Sequence, residues 1–152
     1  MTLTDYAVLE RRRIPIFVRE GAIVPVDVES ALTGLGDAAS AGHLTVLAWP
    51  GATDARFVLH ETDEATTAIR TSRDADGTAR VVLSRARRPT IVRLRADAAP
   101  SAVRADGAAL EERADAAAFG AAASGWRYDG ASRFLWVKVE ARDAQVSIEV
   151  SP

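Results

Sequence analysis

Short runs of alternating apolar and polar residues, separated by turn residues, constrain this chain more than any other feature of its sequence. Asp-Gly pairs at 76–77, 106–107 and 129–130 lie between such runs, and Asp-Gly is a favoured sequence for the tight turn of a β-hairpin. The last run, residues 145–150, alternates as a strand with one buried face does. The pattern therefore predicts an all-β, antiparallel β-sandwich of about ten strands.

One segment departs from the strand pattern. Residues 108–123 are rich in alanine, and Leu110, Ala114 and Ala117 have helical spacing. Because alanine favours helix, we expect one short helix near residues 109–119. Gly120 and the scarcity of large apolar side chains make a surface loop the alternative.

Composition narrows the class of protein. With 152 residues, 48% apolar and 26% charged residues and a net charge of −2, the chain suits one ordinary domain, or one small domain with a piece of another. It has no basic field to attract nucleic acid, no N-terminal signal peptide and no apolar run near the roughly 20 residues that span a bilayer. We expect a cytoplasmic protein without nucleic-acid or membrane partners.

Four aromatic residues are candidates for binding sugar, because a flat ring can stack on the apolar face of a sugar. They are Trp49, Trp126, Tyr128 and Trp136. The alternative is that each fills the core or a seam between domains. In the run 134–140, aromatic and aliphatic residues take opposite faces. If the aliphatic face is core, Trp136 is exposed or covers a neighbouring module.

A glycine-rich segment, residues 33–42, indicates a loop and a module boundary. Before it, residues 14–26 form a nearly continuous apolar run. Pro15 belongs at a strand start or edge, since it cannot donate a ladder hydrogen bond, and Gly21 permits a bend. This run closely resembles the segment "PvFvRgGaiiP" that follows the catalytic barrel in family 31 glycoside hydrolases.

Other landmarks of that family follow in order along nearly the whole chain. Residues 44–50 resemble its next strand, residues 100–110 resemble its "p..V.vnG..l" strand and turn, and residues 126–129 resemble its "W.yd" element. Residues 59–66 are similar to "LYEDDG.t", but His60 replaces the aromatic residue and the turn glycine is absent.

The resemblance implies the C-terminal β-sandwich region of an α-glucosidase or α-xylosidase, without its barrel. Residues 1–42 would be the tail of the proximal sandwich with its connecting loop, and residues 43–152 the distal sandwich. The family's catalytic aspartates lie on the barrel, so no catalytic residue is expected here. The function implied is that of an accessory domain, which packs on the barrel and stabilises it.

The resemblance also implies an interface with the missing barrel. The residues expected there are Ile14, Phe17, Arg19 and Ile23. A chain that begins inside a sandwich should leave an unpaired sheet edge. We therefore expect docking on a separate barrel or self-association.

Apart from the resemblance, the residues give little indication of a catalytic or metal-binding site. Glu61 and Asp63 lie about 6.5 Å apart on one face if the strand extends that far, but no cleft accompanies them. Glu61, Asp63 and Glu64 lack the order of a calcium loop, and His43 and His60 form no metal-binding pair. We expect no metal and no cofactor. Two other functions remain open, a stand-alone carbohydrate-binding module and a protein-interaction β-sandwich.

Overall fold

The structure, a computed structural model, describes residues 17–26, 40–61 and 64–152. These residues form eleven strands. In chain order the strands are β1 (Ile23–Val26), β2 (Leu44–Ala48), β3 (Ala55–His60), β4 (Thr66–Arg73), β5 (Ala79–Leu83), β6 (Thr90–Arg95), β7 (Ala102–Ala105), β8 (Ala108–Ala109), β9 (Gly125–Asp129), β10 (Phe134–Val139) and β11 (Val146–Ser151). A short helix, α1 (Ala116–Ala121), lies between β8 and β9.

The strands form two sheets that share one core. Sheet A has the order β1-β2-β6-β10-β9, and sheet B has the order β3-β4-β5-β11-β7-β8. The predicted all-β sandwich is confirmed. One pair departs from the antiparallel expectation, because β2 and β6 are parallel neighbours. After β2 the chain crosses to sheet B, forms β3, β4 and β5 there, and returns beside β2 in the same direction.

The main core lies between the sheets. Val46, Val92 and Val137 from sheet A meet Ile69 and Ile148 from sheet B, and all five are fully buried. Strand β11 alternates between buried and half-buried residues, as its sequence predicts. Burial of these branched side chains supplies the main driving force for the fold.

A second, smaller core lies on the outer face of sheet A. There α1 places Phe119 against Ile91 and Trp136, all buried. The aliphatic face of β10 is indeed core, but Trp136 is only 2% exposed. The expectation that Trp136 is exposed or covers another module is therefore wrong, since a helix of the same chain covers it.

The predicted short helix is present, although it begins at Ala116 rather than near residue 109. Residues Ala108 and Ala109 pair instead with β7 across the Asp106-Gly107 turn. The helix starts where Asp115 can act as N-cap, with its Oδ1 accepting a hydrogen bond from the Ala118 amide at 2.8 Å. A side-chain cap of this kind satisfies one amide that the first helical turn leaves without a partner.

The predicted module boundary at residue 42 lies between two strands, β1 and β2, that pair with each other. Strand β1 pairs with β2 along its whole length, from Ile23 with Ala48 to Val26 with Thr45. The division into residues 1–42 and 43–152 stays a prediction. Most of the glycine-rich segment, as well as Ile14 and Asp63, lies outside the described residues. Among the residues described, every helix is too short or too polar to cross a bilayer.

Candidate functional site

A cleft of about 660 Å³ opens at one end of the sandwich, where β2, β6 and β11 end. We call it the Trp49 cleft. Its charged and aromatic side chains are Glu20, Trp49, Arg73, Arg95 and Asp97. Apolar core residues that end β6 and β11, Leu94 and Val150, also line it. The volume lies within the range of pockets that bind small molecules.

Local sequence explains the shape of one wall. Pro50 ends β2, because proline cannot donate to the sheet ladder, and Gly51 follows it. The Glu20 side chain lies so close to Gly51 that a Cβ atom there would clash with it. Glu20 then accepts a hydrogen bond from the Ala52 amide at 3.0 Å through its Oε1. Glycine at position 51 therefore lets Glu20 reach the rim of the cleft.

The other charged side chains of the cleft differ in how firmly they are held. Arg73 donates from Nη1 to the Gly77 carbonyl at 2.8 Å, within the β4–β5 turn. Asp97 lies 3.6 Å from Arg133 Nη1, but both side chains are mostly exposed, so this pair contributes little to stability. Arg95 is exposed, and its guanidinium makes no hydrogen bond or ion pair with the described part of the chain.

The structure separates the four aromatic candidates for sugar binding. Trp49 is half-buried and lines the cleft. Trp126 is 7% exposed, and its indole donates to the Leu110 carbonyl at 3.1 Å. The Tyr128 hydroxyl donates to the Ala96 carbonyl at 3.3 Å. Trp136 lies beneath α1, with the Arg127 guanidinium 5.4 Å from its ring centroid. We therefore carry the sugar-binding proposal forward for Trp49 alone.

The candidate docking residues lie in the segment that leads into β1 and in β1 itself. β1 and β3 are edge strands of sheets A and B and lie against each other. Two apolar side chains are exposed on this β1/β3 edge, Val24 (43%) and Phe57 (39%), and two in the segment that leads into β1, Phe17 (63%) and Val18 (42%). Arg19 is exposed as well, whereas Ile23 packs against the core. Sequence reasoning missed Phe57, because only the packing of the two sheets brings its strand, β3, into contact with β1.

Glu61 and His43, two of the acidic and histidine candidates, have structural partners. Glu61 accepts from the Thr67 hydroxyl at 3.3 Å and from Arg88 Nη2 at 3.4 Å. His43 Nδ1 lies 2.9 Å from the Ala41 carbonyl oxygen, and His60 is exposed. Among residues 17–26, 40–61 and 64–152, no three acidic, histidine or cysteine side chains come together as a metal site.

Lys138 is unusual because its charged side chain is buried. It is buried beneath α1, where Nζ donates to the carbonyls of Phe119 and Gly120 at 2.9 Å each and lies 5.0 Å from the Phe119 ring centroid. Burial lowers the pKa of Lys138, because desolvation disfavours the charged form. The ammonium group holds carbonyls at the C-terminal end of α1, where a cation is favoured.

Hydrogen bonding lowers the pKa of two carboxyls in turns, one on the half-buried Asp129 and one on the exposed Asp76. The Ser132 hydroxyl and the Ala131 amide do so for Asp129, while the Thr78 amide and hydroxyl do so for Asp76. Both carboxylates therefore serve as turn acceptors, which is the role that Asp-Gly turns give to aspartate.

Solved structures with the same arrangement of strands come from large enzymes. The cycloalternan-forming enzyme from Listeria monocytogenes, in complex with a pentasaccharide substrate, has a TM-score of 0.76 and 24% identity over 88% of this chain. A GH31 dextranase from Flavobacterium johnsoniae, complexed with isomaltotriose, has a TM-score of 0.70 and 16% identity over 91% of this chain. The fold is shared with family 31 enzymes. The predicted resemblance to this family is thereby confirmed.

The match covers only a small part of those enzymes. This chain spans 13% of the Listeria protein and 20% of the Flavobacterium dextranase. A further Listeria monocytogenes structure, in complex with glucose, magnesium and calcium, is 25% identical with a TM-score of 0.75. No protein-family model matches the sequence, and no curated protein matches it.

Proposed function

We propose that this chain is a non-catalytic accessory β-sandwich of a family 31-type α-glycosidase, which packs on the catalytic barrel and stabilises it. The observation that supports the proposal is the share of each protein that the structural match covers. Nearly the whole chain matches, but it corresponds to a minor part of enzymes that contain much more. A unit of this kind is expected to have a neighbour in the same enzyme, joined by an interface between domains.

The β1/β3 edge is the surface that we assign to this interface. Single exposed apolar residues are ordinary, but Val24 and Phe57 lie on edge strands that contact each other. Phe17 and Val18 are exposed in the segment that leads into β1. Phe57 pairs with the fully buried Ile69 across β3 and β4. Its side chain therefore lies on the sheet face that carries Ile69, and 39% of it stays exposed among the described residues.

In this proposal the barrel supplies the chemistry. The parent enzyme hydrolyses α-linked glucosides or xylosides with retention, through two carboxyl groups that the barrel holds roughly 5 Å apart. The saccharides in the neighbouring structures, a pentasaccharide substrate in one and isomaltotriose in the other, support a saccharide of this general kind. The location expected from the sequence, the cytoplasm, stays a prediction.

The test is to mix the chain with a family 31 catalytic barrel from the same source organism, expressed without its own distal sandwich. Calorimetric titration should show saturable binding, and the barrel's Tm should rise as the chain is added, since a ligand of the folded state stabilises it. The chain alone should not hydrolyse p-nitrophenyl α-glucoside or α-xyloside.

Matched variants locate the interface. Phe17→Ser and Phe57→Ser should weaken binding to the barrel, whereas Ala109→Ser, on the exposed far strand β8, should leave it unchanged. Two results would overturn the proposal. One is hydrolysis by the purified chain, and the other is a folded chain that neither binds the barrel nor raises its Tm.

A further inference from the structure

We propose that the Trp49 cleft binds a short stretch of a neutral oligosaccharide. This goes beyond the accessory role and does not depend on it, because the cleft lies at the end of the sandwich where β2, β6 and β11 finish, and its lining residues differ from the exposed apolar residues of the β1/β3 edge. The inference depends on three observations. These are the indole N–H of Trp49, which is unpaired among the described residues, the balance of charged side chains in the cleft and the prolines in its walls.

Trp49 is the tryptophan that keeps its polar atom available. Its backbone is fixed, since the Trp49 amide donates to Ala22 at 3.0 Å and its carbonyl accepts from Gly21 at 2.7 Å. The indole N–H has no hydrogen-bond partner among the residues that the structure describes. Trp126, in contrast, uses its indole N–H on the Leu110 carbonyl. A held ring with an unused donor can pack against the C–H face of a sugar and donate to one of its hydroxyls.

The charges around Trp49 select against ionic ligands. Glu20 and Asp97 oppose Arg73 and Arg95 in the same cleft, so an anion would meet two carboxylates and a cation two guanidinium groups. A sugar hydroxyl both donates and accepts, and it can therefore use both kinds of side chain without burying a net charge. Arg95, exposed and without a partner in the described chain, has its donors available for such a ligand.

The walls are built to keep their shape. Pro50 and Pro100 are buried and both line the cleft. Between Arg95 and Pro100 the chain carries only alanines and Asp97, so no large side chain fills the space. Because proline restricts the backbone, the cleft is largely formed before a ligand arrives. A preformed site loses less conformational entropy on binding.

The experiment is a calorimetric titration of the intact chain with maltotriose, isomaltotriose and xylotriose, together with tryptophan fluorescence. At least one of the trisaccharides should bind saturably and change the emission. Trp49→Ala should weaken binding by about tenfold or more, which is the scale of one aromatic contact. Trp49→Phe should retain part of the affinity. Inorganic phosphate should not compete.

Two further variants distinguish a loss of binding from a loss of folding. Arg95→Ala changes an exposed side chain in the cleft and should weaken binding, whereas Arg85→Ala, on an exposed arginine that follows β5 outside the cleft, should not. Binding that survives in Trp49→Ala and Arg95→Ala would overturn the location. Absence of binding to all three sugars in a folded sample would overturn the ligand class. Neither result bears on barrel docking, which Phe17 and Phe57 variants test.

Discussion

The edge strands on the two sides of this sandwich differ in how far neighbouring segments cover them. At the side of β9, the chain segment that follows β8 runs beside the strand, with the Trp126 amide donating to Glu111 at 3.0 Å and the Arg113 amide donating to Trp126 at 2.7 Å. The indole of Trp126 adds a third bond, to Leu110. At the other side, β1 and β3 each have one pairing partner within the described chain, and phenylalanine and valine side chains stay exposed.

The difference shows how a small β-sandwich deals with its edges. An unpaired edge is a template for association, and natural proteins cover it or use it. Here residues 110–113 cover the β9 edge, and α1 covers the outer face of sheet A near it. The β1/β3 edge has no comparable cover among the described residues. We interpret the first as a side completed within the chain and the second as a side reserved for a partner.

The sharpest test of this contrast compares two phenylalanines. Phe119→Ala removes a fully buried ring beneath α1 and should lower the free energy of unfolding by about 4 kcal/mol. Phe17→Ala removes a ring that is 63% exposed and should change it by less than about 0.5 kcal/mol. Urea unfolding measures both. Similar losses from the two variants would contradict the division into a covered and an open side.

A second comparison uses two glycines with positive φ. Gly125, at 142°, would place a Cβ 2.8 Å from the Glu111 carbonyl oxygen and 2.7 Å from Arg113 Nε. Gly125→Ala should therefore destabilise the fold by about 3 kcal/mol, as steric and backbone costs add. Gly107, at 82°, has nothing within 4 Å, so Gly107→Ala should cost only the backbone term, about 1 kcal/mol.

The difference between these two variants isolates the close approach of residues 111–113 to β9. Thermal unfolding of both proteins, measured side by side, gives this difference. Gly130→Ala is the neutral control, because a Cβ there makes only an ordinary contact with Tyr128 at 3.6 Å. Equal effects at positions 125 and 107 would show that the covering segment is not tightly held.

The third prediction concerns the buried ammonium under α1. Lys138→Met should lower the free energy of unfolding at pH 7 by about 1 kcal/mol, because two helix carbonyls lose their donor while a desolvated charge disappears. Since the folded protein has a lowered Lys138 pKa, the unfolded chain binds more protons between that value and the ordinary 10.5. Wild-type stability should therefore rise with pH in this window relative to the variant.

Unfolding of the two proteins in urea at a series of pH values from 7 to 10.5 checks the sign. The gap between them should widen as pH increases, because the cost of burying the charge disappears when Lys138 loses its proton. A gap that narrows or stays constant would mean that Lys138 is not desolvated in the folded protein.

The smallest effect on stability is expected at the open side. Val24→Lys and Phe57→Lys place charges on the edge strands β1 and β3. Val24→Lys should change the unfolding free energy by less than about 0.5 kcal/mol, and Phe57→Lys by about 1 kcal/mol, because part of the Phe57 ring is buried. They should, however, reduce any concentration-dependent self-association seen by sedimentation, since lysine on an edge strand opposes edge pairing. Unchanged association in both variants would place the contact elsewhere.

Much of the fold follows from local sequence. The strands predicted from the runs at 134–140 and 145–150 were found at Phe134–Val139 and Val146–Ser151, because the alternation within each run fixes the faces it can present. The aliphatic residues of β10 face the main core, as the pattern allows. The helix was displaced toward the C-terminus, since residues 108 and 109 gain more by completing a hairpin than by extending a weak helix.

The candidate sites were less accessible to sequence reasoning. Four aromatic residues were equal candidates for sugar binding, and only packing distinguishes Trp49 from the others. Trp136 is covered by Phe119, which lies 17 residues earlier in the chain, and no local pattern indicates that contact. The Trp49 cleft combines side chains from the ends of several strands, with Glu20 seated over Gly51.

The sequence by itself determined the strands, the Asp-Gly turns and the all-β class, because backbone preferences and alternation act over a few residues. Only the tertiary structure decided the parallel pairing of β2 with β6, the burial of Trp136 and Lys138 beneath α1, and the contrast between the covered and the open edge. Those features depend on which distant segments meet. Which distant segments pack against each other is determined by the burial of side chains between the two sheets. This burial contributes only when the whole chain has packed.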